Sequence, residues 1–162
     1  MRDTLDSRGF ELTESDGDVL VRFLAPQEAV DADDVHDLVA FVLRGGGLLL
    51  ALDGGPPSPD AWPLLNALHL FVLSPLDPQA ARATSHPAMA GIEAVVLESP
   101  VSVAGVGHSL LRVGADSVAL AAPRGEGRVL FLGCSSPLLS TKPAFGLACL
   151  RWISRQTPDR LR

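Results

Sequence analysis

At 162 residues the chain has the length of a single domain that can bury a core without disulfide or metal staples. Hydrophobic residues make up 47% and charged residues 20%, which excludes a disordered chain; with six Phe, two Trp and no Tyr, the core must be built mainly from Leu, Val and Ala. A net charge of −6 excludes a general nucleic-acid surface, which needs clustered cations to displace counterions.

In chain order, residues 1 to 9 read as the end of a helix stopped by Gly9, followed by a short strand at Phe10 to Leu12. Asp18 to Ala25, with Val19, Leu20, Val21, Phe23 and Leu24, predicts a strand ended by Pro26. Ala32 to Arg44 predicts a helix, because Val35, Leu38, Val39, Val42 and Leu43 follow the i, i+3, i+4, i+7, i+8 stripe. Asp31, Asp33 and Asp34 suit its positive end, and Gly45 its stop. Leu48 to Leu52 is continuously apolar, as in a parallel strand covered on both faces. Gly54 to Pro59 predicts a loop, Asp60 to Leu68 a helix, and Phe71 to Leu73 a short strand. Residues 74 to 91, rich in Pro and Ala, read as the least ordered connection. Short strands follow at Ile92 to Leu97, Ser109 to Val113, Ser117 to Ala122 and Arg128 to Gly133, with turns at Gly114 to Asp116 and Pro123 to Gly127 that make a hairpin meander. Pro143 to Arg155 predicts the last helix, with Thr141 as its cap.

The expected fold is α/β: a three-layer sandwich with a mixed, mainly parallel sheet and a C-terminal hairpin meander, in one domain over residues 1–162. In such folds the working surface lies beyond the carboxyl ends of the parallel strands. That edge gathers Ala25-Pro26, Asp53-Gly54-Gly55 and Cys134-Ser135-Ser136.

The N-terminus is charged, without the apolar run of a signal peptide, and no apolar stretch reaches the roughly 20 residues of a membrane span. Cys134 and Cys149 have neither metal nor disulfide-framework spacing. A reducing, cytoplasmic setting without membrane insertion is the expectation.

Four segments carry a family likeness. They are DVLVRFLAP at 18–26, FVLRGGGLLLALDGG at 41–55, SHPAMAGI at 85–92, and GRVLFLGCSSPLLS with the helix ending LRWIS. In this order they resemble the class I glutamine amidotransferase-like superfamily, in its divergent, mostly non-catalytic branch. That branch includes auxiliary domains of gliding-motility ABC transporters, a domain of an intraflagellar transport protein, and bacterial domains of unknown function. The resemblance implies a flavodoxin-like, amidotransferase-like fold. It places the nucleophile position on Asp53 of Ala51-Leu52-Asp53-Gly54-Gly55 and the activating His-x-Glu pair near Cys134, where no such pair stands. It also implies an opening strand for which the chain has no residues left. Either Phe10 to Leu12 lies beside Asp18 to Ala25, or another chain adds a strand there; the second is favoured.

Each candidate for chemistry has a plainer reading. Asp53 can serve as an acid, base or ligand, but an aspartate before Gly54-Gly55 more often tightens the turn through backbone N–H groups. Cys134 needs a nearby His or a helix N-terminus to act as a nucleophile; His86-Pro87 is a loop element, for which the resemblance implies a structural or rim role over catalysis. Cys149 lies on the apolar stripe of the last helix and belongs to the core. Asp33, His36 and Asp37 share a helix face, yet their place at its start is explained by the dipole. Gly45-Gly46-Gly47 follows a helix and precedes a strand, the reverse of a phosphate-binding loop. No metal or cofactor is expected.

The function expected is that of a non-catalytic interaction or scaffold module, with another protein chain or a homodimer partner. The rivals are a small-ligand sensor with contacts at Asp53, Gly54, Gly55, Cys134, Ser135 and Ser136, and a hydrolase or amidotransferase whose nucleophile is Cys134 or Asp53.

Overall fold

The computed structural model describes residues 19–139 and 144–154 in full and the backbone of Leu5–Asp6 and Gly9–Leu12. The two short N-terminal strands, β1 (Leu5–Asp6) and β2 (Gly9–Leu12), pair antiparallel. The helix end expected over residues 1 to 9 is therefore corrected at Leu5–Asp6; the rest of that segment lies outside the described residues. Strand β2 runs antiparallel beside β3 (Val19–Leu24), with Phe10 opposite Val21 and Leu12 opposite Val19. The chain's own strand thus occupies the edge of β3 for which a partner had been favoured.

Strand β3 leads through α1 (Ala32–Leu43) to β4 (Gly47–Leu52), which pairs parallel with it. Asp31 caps α1 by accepting from the Asp34 N–H at 2.8 Å, the short polar side chain replacing an intrahelical acceptor. On β3, Arg22 reaches Glu28 at 3.2 Å and Asp34 at 3.5 Å, a contact between strand and helix start that periodicity does not reveal. Every residue of β4 is buried. Leu48, Leu50 and Leu52 enter one core, and Leu49 and Ala51 the other, which is why the strand is apolar throughout.

After β4, a turn of 3₁₀ helix (Pro59–Ala61) precedes α2 (Trp62–Ala67), then β5 (Leu70–Pro75), β6 (Gln79–Ala83), a second 3₁₀ turn (Pro87–Met89), β7 (Ala94–Leu97) and β8 (Val101–Gly105). The meander β9 (His108–Val113), β10 (Asp116–Arg124) and β11 (Gly127–Leu132) follows, then α3 (Ser136–Leu139) and α4 (Ala144–Ile153). The Thr141 cap expected for α4 lies outside the described residues.

Among the described residues the main sheet has nine strands in the order β1-β2-β3-β4-β11-β10-β9-β6-β7, and β5 and β8 form a separate antiparallel ribbon. Only β3–β4 and β4–β11 are parallel; the remaining neighbours in the main sheet pair antiparallel. The expected flavodoxin-like sandwich with a mainly parallel sheet is therefore corrected to a mostly β architecture built on a curled mixed sheet. The physical reason is that a single strand–helix–strand unit sets one parallel pair, whereas tight turns can join only antiparallel strands. Of the four strands expected in the meander, β9, β10 and β11 pair in succession, whereas β7 pairs with β6; these antiparallel strands extend the same sheet and outnumber the parallel ones.

Helix α4 and the second 3₁₀ turn cover one sheet face through Phe145, Cys149, Ile153, Ala88 and Met89. On the other face, α1, α2 and the β5–β8 ribbon supply Val42, Leu64, Leu65, Leu68, Leu70, Val101 and Val103. No helix among the described residues is long and apolar enough to cross a membrane.

Candidate functional site

Because β3, β4 and β11 run parallel, their carboxyl ends reach one edge. The Asp53 N–H donates to the Leu24 carbonyl at 3.0 Å, drawing the ends of β3 and β4 together. The Ser135 hydroxyl, just past β11, donates to Asp53 Oδ1 at 2.6 Å, a charge-assisted bond in which an exposed carboxylate holds a buried serine. The turn role assigned to Asp53 thus differs in its partner: the recorded bond goes across the sheet edge to Ser135, not to its own glycines. Gly54 and Gly55 turn the chain at φ +80° and +131° and face open space, since a Cβ on either would meet nothing within 4 Å.

Cys134 points the other way. It is buried on the α4 face, its Sγ donating to the Glu98 carbonyl at 2.6 Å and lying 2.9 Å from Ser136 Oγ. Ser136 Oγ in turn accepts from the Glu98 N–H at 3.0 Å. The predicted residues therefore reach one edge but split into two networks, Asp53–Ser135 and Cys134–Ser136–Glu98. Neither includes a histidine.

His86 lies elsewhere. Its ring packs 5.6 Å from Trp152 and 5.8 Å from His108, and Arg128 sits over the Trp152 ring at 5.0 Å. Arg128 is near the start of β11 and Cys134 beyond its end, about 20 Å apart at strand rise. His86 Nδ1 accepts from the Ala88 N–H at 3.1 Å, which leaves the ring proton on Nε2. Burial first, and the nearby His108 second, lower its pKa. Cys149, fully buried in the core, is pushed up to about 12 by desolvation. Asp33, His36 and Asp37 do not come together as a metal-holding group among the described residues.

A feature missed from the sequence is a groove of about 260 Å³ lined by Pro56, Pro57, Trp62, Leu65, Asn66 and the β5 residues Leu70 to Leu73. Trp62 is 57% exposed, Phe71 48% and Leu73 60%, so three large apolar side chains meet solvent together. A signal was present. Leu64 and Leu65 of α2, with the flanking Ala61 and Leu68, make the buried stripe, and Trp62 lies off it. On β5, apolar residues occupy both faces although only one is covered, giving a buried Leu70 and an exposed Phe71.

No protein-family model matches the chain. No curated protein matches it. Among solved structures, it is similar to the cytoplasmic protein STM1381 from Salmonella typhimurium LT2, with TM-score 0.60 and 17% identity over 77% of this chain and 62% of that one. It is similar to the cytoplasmic protein STM3548 from Salmonella typhimurium, with TM-score 0.62 and 15% identity over 83% and 71%. It is also similar to a β-galactosidase from Rahnella sp. R3, with TM-score 0.60 and 12% identity over 85% of this chain and 23% of that one. The chain thus spans less than two thirds of the first of these proteins and about a quarter of the last. At such identities the likeness concerns the fold alone.

These findings overturn the resemblance to the class I glutamine amidotransferase-like superfamily. No family match supports it, the similar structures are of other kinds, and the sheet is mainly antiparallel. Two of the four segments that suggested it, from Val19 and at 41–55, belong to a strand–helix–strand unit with a glycine stop. That pattern recurs wherever a parallel pair is buried on both faces.

Proposed function

We propose that the protein is a non-catalytic interaction or scaffold module that works in the cytoplasm, and that the groove beside Trp62, Phe71 and Leu73 is the surface it presents. The exposed apolar groove carries this reading, because clustered large apolar side chains at a surface mark interaction sites far more often than chance. An enzyme needs a base within reach of its nucleophile. Neither Asp53 nor Cys134 has a histidine among its hydrogen-bond partners in the described residues. A sensor needs several convergent polar groups, whereas Asn66 and the indole N–H of Trp62 are the side-chain polar groups lining the groove.

The test is affinity purification from the native host of the wild-type chain and of a Trp62→Ser/Phe71→Ser variant with unchanged melting. The expected outcome is a second protein in fixed ratio with the wild type and its loss from the variant. Equal recovery with both, or a wild-type chain that purifies alone, overturns the reading.

A further inference from the structure

We infer that the groove takes a basic segment of another protein, in which one large apolar side chain fills the cavity and lysines or arginines flank it. This rests on the interaction reading above and deepens it by naming the partner's chemistry.

Charge complementarity is the argument. Between Arg44 and Arg82, the stretch that builds the Pro56-Pro57 wall, α2 and β5, there is no lysine or arginine. Its acidic residues are Asp53, Asp60 and Asp77, and all three are exposed. Strand β8, which pairs with β5, carries no charge. Among the described residues, Arg124 is the one cation that a hydrogen bond places against this stretch: its Nε and Nη1 donate to the Leu68 and Pro123 carbonyls at 2.8 and 2.7 Å, and its charge stands against the three aspartates. The groove is thus apolar within, the stretch that builds it carries three exposed aspartates against one arginine from outside it, and the chain has net charge −6. A second copy of this chain or an acidic partner would bring like charges to that stretch, whereas a basic segment brings opposite ones. Strand β5 has a hydrogen-bonded neighbour, β8, on one side only, so an extended segment laid in the groove finds a strand edge beside it.

The experiment uses the full chain and two short synthetic peptides, each with a central phenylalanine between leucines. One alternates them with lysine, the other with glutamate. Titration is followed by tryptophan fluorescence, with Trp62→Ser showing which part of the signal belongs to the groove. The lysine peptide is expected to bind saturably, at least about tenfold tighter than the glutamate peptide, and to weaken as salt rises. Asp60→Asn and Asp77→Asn should each weaken it by about threefold, the size of an exposed ion pair. Equal binding of both peptides, or binding indifferent to salt, overturns the charge assignment and leaves the interaction reading standing. Concentration-dependent dimerisation abolished by Trp62→Ser gives the groove to a second copy and also overturns it. Failure of both peptides together with a wild-type chain that purifies alone removes the interaction reading itself.

Discussion

His86 turns the acceptor side of its ring, Nδ1, toward the Ala88 N–H and so holds in place the 3₁₀ turn that buries Ala88 and Met89 against α4. Protonation would set a donor against that donor and add charge beside His108, with Arg128 beyond Trp152. Burial first, and the nearby His108 second, lower the folded pKa from 6.5. The folded state then binds fewer protons here than the unfolded one, so the contribution is present above the unfolded pKa and is lost as pH falls through the folded one. Denaturant midpoints of the wild type should therefore fall as pH drops below 6.5. His86→Asn keeps a capping acceptor but cannot titrate, so the difference between the two proteins should narrow on acidification. A constant difference across that range would show that His86 does not contribute. Gly133, beside the candidate edge, is constrained by packing. Its N–H donates to the Val118 carbonyl at 2.8 Å, its carbonyl accepts from Val101 at 2.9 Å, and a Cβ would run into the Val101 carbonyl. Gly133→Ala should cost about 1–3 kcal/mol in urea unfolding. A neutral result would mean that β8 can move away from β11 freely.

At the scale of elements, β3, α1, β4, α2 and the β9–β10–β11 part of the meander could be read from the sequence because periodicity, caps and breakers agreed. Asp31 before a helical stripe and Gly45 after it leave little choice. Strand β6 was hidden because its inward position is Ala81, fully buried but too small to register as a hydrophobic signal among prolines. Strand β8 was hidden by Ser102, buried because its hydroxyl donates to the Ser74 carbonyl and accepts from the Ser74 N–H, both at 3.1 Å. Those contacts join residues 28 apart in sequence, and no local pattern encodes them. The same limit applies to the candidate edge, where Asp53, Ser135 and Cys134 were expected together but the Glu98 backbone that engages Cys134 was not. Strand β4 offers the sharpest element-level test. It lies between β3 and β11, and Leu50 has no exposed surface. Leu50→Asp buries a carboxylate without a partner, at a cost comparable to a domain's whole stability of about 5–15 kcal/mol. It should be insoluble or lack a cooperative melt. A soluble, cooperatively melting variant would show that β4 yields to solvent.

Across the whole molecule, stability should be graded along the sheet. The centre, β4 and β11, is paired on both sides and covered on both faces. At the β6–β7 end, Gln79, Ala80, Arg82, Ala94 and Val96 are exposed, so amides there can exchange by local opening while the centre waits for global unfolding. The informative strand is β3. If its edge were bare, its outward amides would exchange quickly and attract a partner strand. With Phe10, Glu11 and Leu12 facing Val21, Leu20 and Val19, that edge is occupied from within the chain. Hydrogen exchange on a monodisperse monomer should therefore find Val19 to Leu24 slower than β6 and β7. Deleting residues through Leu12 should speed β3 without touching β10, which lies two strands beyond β4. If the full-length monomer exchanges as fast as the truncated one along Val19 to Leu24, then β2 does not hold that edge. The sheet would in that case have a second surface open to a partner, distinct from the groove at Trp62.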